Sequence, residues 1–459
     1  MQQQLPKLPI NKVANPKLTL YAFHLRYNLS QGMKTPVKNA DYLWLKCQEL
    51  GKKLSIPKLE TLPAFIEKQN HLSTNITGIL PFTAIEHKPR LHLRGEINRR
   101  QIHDTYALDL TFRYSEPEVQ INDLAGLNPE QYLLPKNINS SLGQTLVLFA
   151  KPIGNIPNEQ AFADACLTSL LSDTEVKKLQ IYCQSQGKLL GSSIFEYNNN
   201  ADSPKEQCHI LIWLNTNTET TTLEEKGDYY YPLIDILNCR SKIIYARSQA
   251  IWCNQQARED FSKLENKLMA FNKAKNLPIN NKLQQFNQWL NEIPEISFNY
   301  SRYLRDLQIH KNTIQANSKN LAVYLDKIKA ISLHQDNLEF LSTFLERAET
   351  TFIEQIDVDL GYLIPAQNLF EQMISTIRGI VEIEQAKSDR SLETTVQILG
   401  IGFGGGAIVS GIIVQHIDKI NLPSLPKNPF LASLVLSIIA TIVCTLLAML
   451  GIWIKKRKL

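Results

Sequence analysis

Apolar and polar positions alternate without interruption through "DTYALDLTFRY": Tyr106, Leu108, Leu110, Phe112 and Tyr114 fall on one face, Ala107, Asp109, Thr111 and Arg113 on the other. Successive strand side chains point to opposite faces, so this pattern predicts a half-buried strand. In "QCHILIWLN" the bulky residues instead run continuously from Ile210 to Leu214, which predicts a central strand buried on both faces. "LQIYCQSQGKLLGSSIFEY" predicts a hairpin turning at Gln186 and Gly187. Helical periodicity takes over in "NADYLWLKCQELGKKL" and "NEQAFADACLTSLL". The polar stretch "NTNTETTTLEEKGD" predicts a loop that closes this region. Residues 1–227 are therefore expected to form an α+β or α/β domain.

From 228 to 394 the pattern becomes helical and predicts a long, coiled-coil-like stalk. Leu307, Ile314, Leu321 and Ile328 recur every seven residues, while the companion positions Leu304, Lys311, Ser318 and Leu325 are half polar, which makes a narrow seam. Leu338, Leu341, Leu345, Ala348, Phe352 and Ile356 continue at spacings of three and four. Gly361 and Pro365 in "GYLIP" are expected to kink or break the helix. Beyond them the chain holds only Gly379 before the next apolar run, so one helix is expected to lead directly into it.

Residues 395–459 change character again. Gly400, Gly402 and Gly405 stand in the G-x-G-x-x-G spacing of a dinucleotide loop, and Asp418 follows 18 residues after Gly400. A doubly wound domain needs further parallel strands, yet only 59 residues remain after Gly400. Val396–Val414 and Phe430–Ile454 carry no charged residue, and each is long enough to cross a hydrocarbon core as a helix. Two such runs predict a transmembrane hairpin in the lipid bilayer. Lys455, Lys456, Arg457 and Lys458 follow the second run, Arg378, Lys387 and Arg390 precede the first, and the joining loop holds only Lys419 and Lys427. By the positive-inside rule both termini are expected in the cytoplasm, with the spans in the inner (plasma) membrane and Trp453 at the inner boundary. Gly400 with Gly404, and Gly402 with Gly406, are small-residue pairs at i, i+4. They predict a smooth face for helix packing or for lining a pore, against the second span or against the same span of a neighbouring copy.

Charge adds little to this. The excess of Lys and Arg over Asp and Glu is 49 minus 44, and four of those basic residues sit in the tail, so nothing indicates nucleic-acid binding. Seven scattered cysteines without a C-x-x-C pair fit a reducing compartment, and "MQQQLPKLPINKVANPKLTL" lacks the apolar segment of a secretory signal. No nucleophile, metal or phosphate-loop constellation emerges, so no catalytic residue, metal site or cofactor is assigned and the chain is not expected to be an enzyme. His103 with Asp104, and Cys208 with His209, are adjacent pairs, and strand neighbours point apart. The basic segment "EHKPRLHLRGEINRR" is the candidate ligand contact: Lys88, Arg90, Arg94, Arg99 and Arg100, beside His87 and His92, could hold a nucleotide or other phosphate. Asp357, Asp359, Glu382 and Glu384 could attract cations, although as i, i+2 pairs they share no helical face and are better read as solvated or salt-bridged.

The order of parts resembles the CorA-type transporters of magnesium and other divalent cations, most specifically over Asn337 to Leu459. That resemblance implies a cytoplasmic α/β domain, very long helices, two C-terminal spans, a homo-oligomer and an ion-conducting first span. The family's Gly-Met-Asn signature has no counterpart after Val414, where the chain reads "QHIDKINLPSLPKNPF", so no pore residue is carried over. The expected function is an oligomeric ion channel or transporter with a large cytoplasmic regulatory domain. The alternative is a membrane-tethered sensor, effector or scaffold whose cytoplasmic domain binds a nucleotide or a protein partner.

Overall fold

The computed structural model describes residues 12–27, 36–62, 74–88, 91–416 and 428–458. Strand β1 (Lys12–Leu25) precedes helix α1 (Tyr42–Lys53) and a single turn, α2 (Pro57–Glu60). Strands β2 (Thr74–Lys88), β3 (Leu91–Ile102), β4 (Thr105–Tyr114) and β5 (Glu118–Gln120) lead through the short helix α3 (Pro135–Ile138) to β6 (Gly143–Pro152). Helices α4 (Glu159–Leu171) and α5 (Asp173–Leu179) separate it from β7 (Tyr182–Leu189), β8 (Ser192–Asn198) and β9 (His209–Leu214), after which comes α6 (Thr218–Lys226).

The strands form one mixed nine-stranded sheet in the order β2-β3-β4-β1-β6-β9-β8-β7, with β5 paired to the start of β1. Every pairing is antiparallel except β6 with β9. The Ile210–Leu214 run thus lies inside the sheet, as its unbroken apolar sequence predicts. One face carries a core in which Trp44 and Cys47 of α1 and Phe162, Cys166 and Leu170 of α4 pack with Leu20, Leu110, Phe112 and Leu148.

Strand β4 is buried on both faces rather than one: Ala107 is 0 % exposed, Asp109 6 % and Thr111 5 %. The second face is covered by the helix that follows α6, where Tyr230 Oη donates to the Asp109 carboxylate and the Tyr229 ring meets Trp213 edge-on at 5.3 Å. Polar residues in an alternating pattern mark solvent only when nothing polar lies opposite them. Here a tyrosine does.

The β7–β8 hairpin exists, but it turns at Leu190 and Gly191, with φ of +51° and +85°, while Gln186 and Gly187 pair with Phe195 and Ile194 inside the ladder. A two-residue turn with both φ values positive matches the twist of its strands. This one is held from outside. The Asp336 carboxylate accepts the N–H groups of Leu190 at 2.7 Å, Gly191 at 2.6 Å and Leu333 at 3.0 Å. Beside it, Lys188 and Asn337 exchange backbone hydrogen bonds of 2.8 and 3.1 Å along the outer edge of β7.

The threonine-rich stretch expected to be a loop contains α6. Asn217 Oδ1 caps it by accepting from Glu219 N at 3.0 Å, and Gly227 ends it at φ +77°. Thr220 is buried and donates to the Leu190 carbonyl at 2.6 Å, so tertiary contact overrides the weak helix propensity of threonine.

The remaining described elements are helices: α7 (Tyr230–Lys275), α8 (Ile279–Ile331), α9 (Glu339–Arg347), a five-residue π-helical turn (Ala348–Phe352), α10 (Ile353–His416) and α11 (Pro429–Lys458). The first turns of α7 are largely buried: Leu233, Ile234, Ile236, Leu237 and Ile243 are enclosed, and so are Asn238, Arg240 and Lys242, of which Arg240 and Lys242 reach the carboxylates of Glu196 and Asp104. On α8 the heptad positions Leu307, Ile314, Leu321 and Ile328 are each at most 1 % exposed. Gly361 and Pro365 do not break α10, which runs for 64 residues through both and into the first apolar run. Leu360, Leu363 and Ala366 are buried on either side of the proline, and Tyr300 Oη donates to the Leu363 carbonyl at 2.6 Å. These contacts offset the roughly 3 kcal/mol that an interior proline costs. The irregularity falls earlier, in the π turn.

The chain resolves into two compact units. One comprises the described residues through Phe261 with Asn299–Gln367, the other Ser262–Phe298 with Asn368–Leu459. In the second, Phe271 stacks on Phe286 at 5.5 Å, Lys282 pairs with Glu384 at 3.2 Å, and Phe370, Met373, Ile377 and Val381 form a buried stripe at spacings of three and four.

Candidate functional site

Glycine determines how the two apolar helices meet. A Cβ on Gly402 or Gly406 of α10 would collide with Thr445 or Thr441 of α11, and one on Gly405 would lie 3.2 Å from Cys444 Sγ. Contacts 402 to 445 and 406 to 441 run in opposite senses, so the helices are antiparallel and form a hairpin. Thr441 and Thr445 donate back to Ser437 O at 2.9 Å and Thr441 O at 2.7 Å, satisfying their hydroxyls within α11. No water is needed there, as suits a hydrocarbon environment.

Gly400, Gly404 and Gly411 have nothing within 4 Å of a built Cβ. The i, i+4 pairs therefore divide: Gly402 with Gly406 receives the second helix, and Gly400 with Gly404 stays open. The rest of both helices is apolar and exposed, with Ile401 at 56 %, Phe403 at 65 %, Ile408 at 69 %, Ile442 at 54 % and Leu446 at 58 %. A soluble protein rarely exposes so continuous an apolar surface. Phe430–Leu450 alone is 21 residues, about 31 Å of helix at about 1.5 Å per residue, close to the roughly 30 Å hydrocarbon thickness. Two helices are thus long and apolar enough to span a membrane. The side chains of Trp453 and of Lys455 to Lys458, and the joining loop with Lys419 and Lys427, lie outside the described residues.

The basic segment does not act as one patch. Arg90 and the side chains of His87 and Lys88 lie outside the described residues. Arg99 is 1 % exposed on the core face of β3, with its guanidinium 5.4 Å from the Trp44 ring. Arg100 faces the other way, over Tyr231 at 4.6 Å. Arg94 shares that second face and is exposed, six residues or about 20 Å along the strand from Arg100. His92 Nδ1 pairs with Glu116 at 2.9 Å. One phosphate could not touch Arg94, Arg99 and Arg100 together.

No family model and no curated protein matches this chain. The resemblance to CorA-type transporters therefore stands on the order of parts alone: a mixed-sheet α/β domain, long helices and two long apolar C-terminal helices.

Three of the four acidic residues read as cation candidates, all but Glu382, have recorded partners. Asp357 pairs with Lys311 at 2.5 Å, Asp359 with Arg258 at 3.6 Å, and Glu384 with Lys282. His103 and Asp104 occupy the turn between β3 and β4 rather than a strand, and Asp104 pairs with Lys242. His209 is buried; its Nε2 donates to Glu196 at 3.0 Å and its Nδ1 accepts from Thr145 Oγ1 at 2.8 Å, the tautomer a neutral ring requires. Burial, then the Arg240 guanidinium, push its pKa down to about 4. Burial alone would raise Glu196, but His209, Arg240 and Ser185 outweigh it and hold the carboxyl at about 2.

Sequence reading missed two features of the sheet-bearing unit. Asp109, read as facing solvent, is buried in a cleft of about 360 Å³ with Tyr21, Tyr229 and Tyr230, and desolvation raises its pKa to about 6. Arg240 and Arg247, seven apart on one face of α7, meet Arg347 of α9 in a second cleft of about 380 Å³. The seven-residue spacing was visible. The partner, a hundred residues on, was not.

Proposed function

We propose that this chain is an integral membrane protein that assembles with copies of itself and moves ions across the bilayer under control of its soluble domain, on a CorA-like plan. The observation that carries this reading is the division of the glycines on α10. One small-residue face is occupied by the chain's own second helix, and a second, at Gly400, Gly404 and Gly411, remains open to close approach by another helix. The unbroken α10 joins that face to the soluble domain, so a displacement of its first turns has a continuous backbone along which to travel. Basic flanks favour both termini in the cytoplasm. The test is flux. Full-length protein in liposomes is expected to dissipate a gradient of at least one of potassium, sodium, magnesium or chloride, and a bilayer that stays tight to all four with inserted protein refutes conduction.

A membrane-tethered sensor or scaffold is the second reading. It is favoured by the missing Gly-Met-Asn signature and by the large soluble unit. A monomer or dimer in detergent, with no flux, supports it.

A further inference from the structure

We propose that the cleft lined by Arg240, Arg247 and Arg347 binds a small organic phosphate of about mononucleotide size. Its walls come from four places within one compact unit: the β7–β8 hairpin, the segment between β8 and β9, α7, and α9 with the π turn after it. At about 380 Å³ the cleft falls in the range of about 300–1,000 Å³ typical of small-molecule sites.

The charges are unbalanced in a particular way. Arg240, at the floor, is neutralised: Nη2 lies 3.6 Å from Glu196 and Nη1 donates to Gln207 at 3.0 Å. Glu196 is in turn committed to His209 and to Ser185, whose hydroxyl donates to it at 2.6 Å. Arg247 and Arg347, higher in the cleft, converge on a single ring, that of Phe352, at 4.4 and 5.5 Å. Arg247 has only the exposed Asp202, 3.9 Å away, and Arg347, over the Phe352 ring, has no ion pair among the described residues. Burial and the Arg347 charge both push Arg247 below its ordinary pKa. Glu339 also lines the cleft but forms no ion pair with either guanidinium. Two guanidiniums held together with only one distant, exposed carboxylate between them make a ready phosphate site, because each offers a planar fork of donors.

The rest of the cleft suits the body of such a ligand. Gln184, Asn198 and Asn200 bond to one another along one wall, and the Gln186 side-chain amide, with no hydrogen bond among the described residues, is left to donate and accept. Phe340 and Phe344 add an apolar wall, with Arg240 5.1 Å from the Phe344 ring. The π turn is a second, independent sign, because such insertions in helices are frequent at functional sites. This one sets Phe352 under the two arginines immediately before α10 begins. The inference goes beyond the conduction reading and does not depend on it.

The test is calorimetric titration of full-length protein in detergent with four nucleoside monophosphates, glucose 6-phosphate, inorganic phosphate and adenosine. At least one organic phosphate is expected to bind, at least tenfold tighter than either inorganic phosphate or adenosine. The double variant Arg247→Gln, Arg347→Gln should weaken it at least tenfold. Both side chains are partly exposed, and an unchanged melting temperature verifies that the variant is folded. Arg94→Gln, outside the cleft, should leave affinity unchanged. Failure of every organic phosphate to bind, equal binding of adenosine or of inorganic phosphate, or full affinity in the folded double variant overturns the assignment.

Discussion

Asp109 makes the stability of the sheet-bearing unit depend on pH in a direction opposite to that of most carboxylates. Burial raises its pKa from 3.8 to about 6, and the hydrogen bonds from Tyr230 and Thr111 offset only part of that shift. The folded carboxyl thus keeps its proton up to about pH 6, whereas the unfolded one releases it near 3.8. Between those values the native state binds more protons, so stability falls as pH rises, and the fall is complete above the folded pKa. About 2.2 units at about 1.36 kcal/mol each gives roughly 3 kcal/mol. Asp109→Asn removes this titration while keeping the shape of the side chain. His209 and Glu196 titrate in both proteins and cancel in the difference. Thermal unfolding of detergent-solubilised wild type and variant, followed by circular dichroism from about pH 4 to 7.5, measures that difference. At about 2–4 °C per kcal/mol for a domain of some 150–250 residues, the variant should gain roughly 6–12 °C relative to wild type across the range. A difference that does not change with pH, or that changes in favour of wild type as pH rises, refutes a buried, proton-retaining Asp109.

Removing the Asp336 carboxylate with Asp336→Ala should free the amides of Leu190 and Gly191, at about 1–1.5 kcal/mol per partly exposed bond, and speed their hydrogen exchange roughly 30-fold or more, with β9 unaffected. Gly406→Leu should disrupt the hairpin, where Thr441 leaves no room, and Gly404→Leu should leave the monomer's hairpin intact but weaken self-association; both are read from oligomer size in detergent. Gly405→Cys should form a disulfide with Cys444, whose Cβ lies 3.4 Å from a built Cβ at that position. Mixed isotopically labelled and unlabelled chains should show that cross-link within one chain, and a predominantly inter-chain link refutes the hairpin packing.

What sequence reveals here depends on the range of the interaction that decides each element. The Ile210–Leu214 run and the charge-free runs ending at Val414 and Ile454 are decided by local apolar content, and they were legible. The caps of α6 are local too, but Asn217 and Gly227 were obscured by threonines whose burial at Thr220 depends on a distant hairpin. The position of the β7–β8 turn is decided by Asp336, 146 residues from Leu190, and the burial of Asp109 by Tyr230, 121 residues away. Likewise, Arg94, Arg99 and Arg100 are close in sequence, but the alternation of a strand sends Arg99 to the face opposite the other two. Arg247 and Arg347 are distant in sequence and share one phenylalanine.

The bond between Asp336 and the Leu190–Gly191 turn also sets a timetable for synthesis. At about 5–20 residues per second, the 146 residues between them take roughly 7–30 s to emerge. Throughout that interval the outer strand of a nine-stranded sheet has neither the carboxylate that secures its turn nor the Asn337 backbone that pairs with Lys188. An unpaired edge of that kind invites association with other nascent chains. The apolar helices emerge later still, so the sheet must pass this vulnerable period before either of them is available to it.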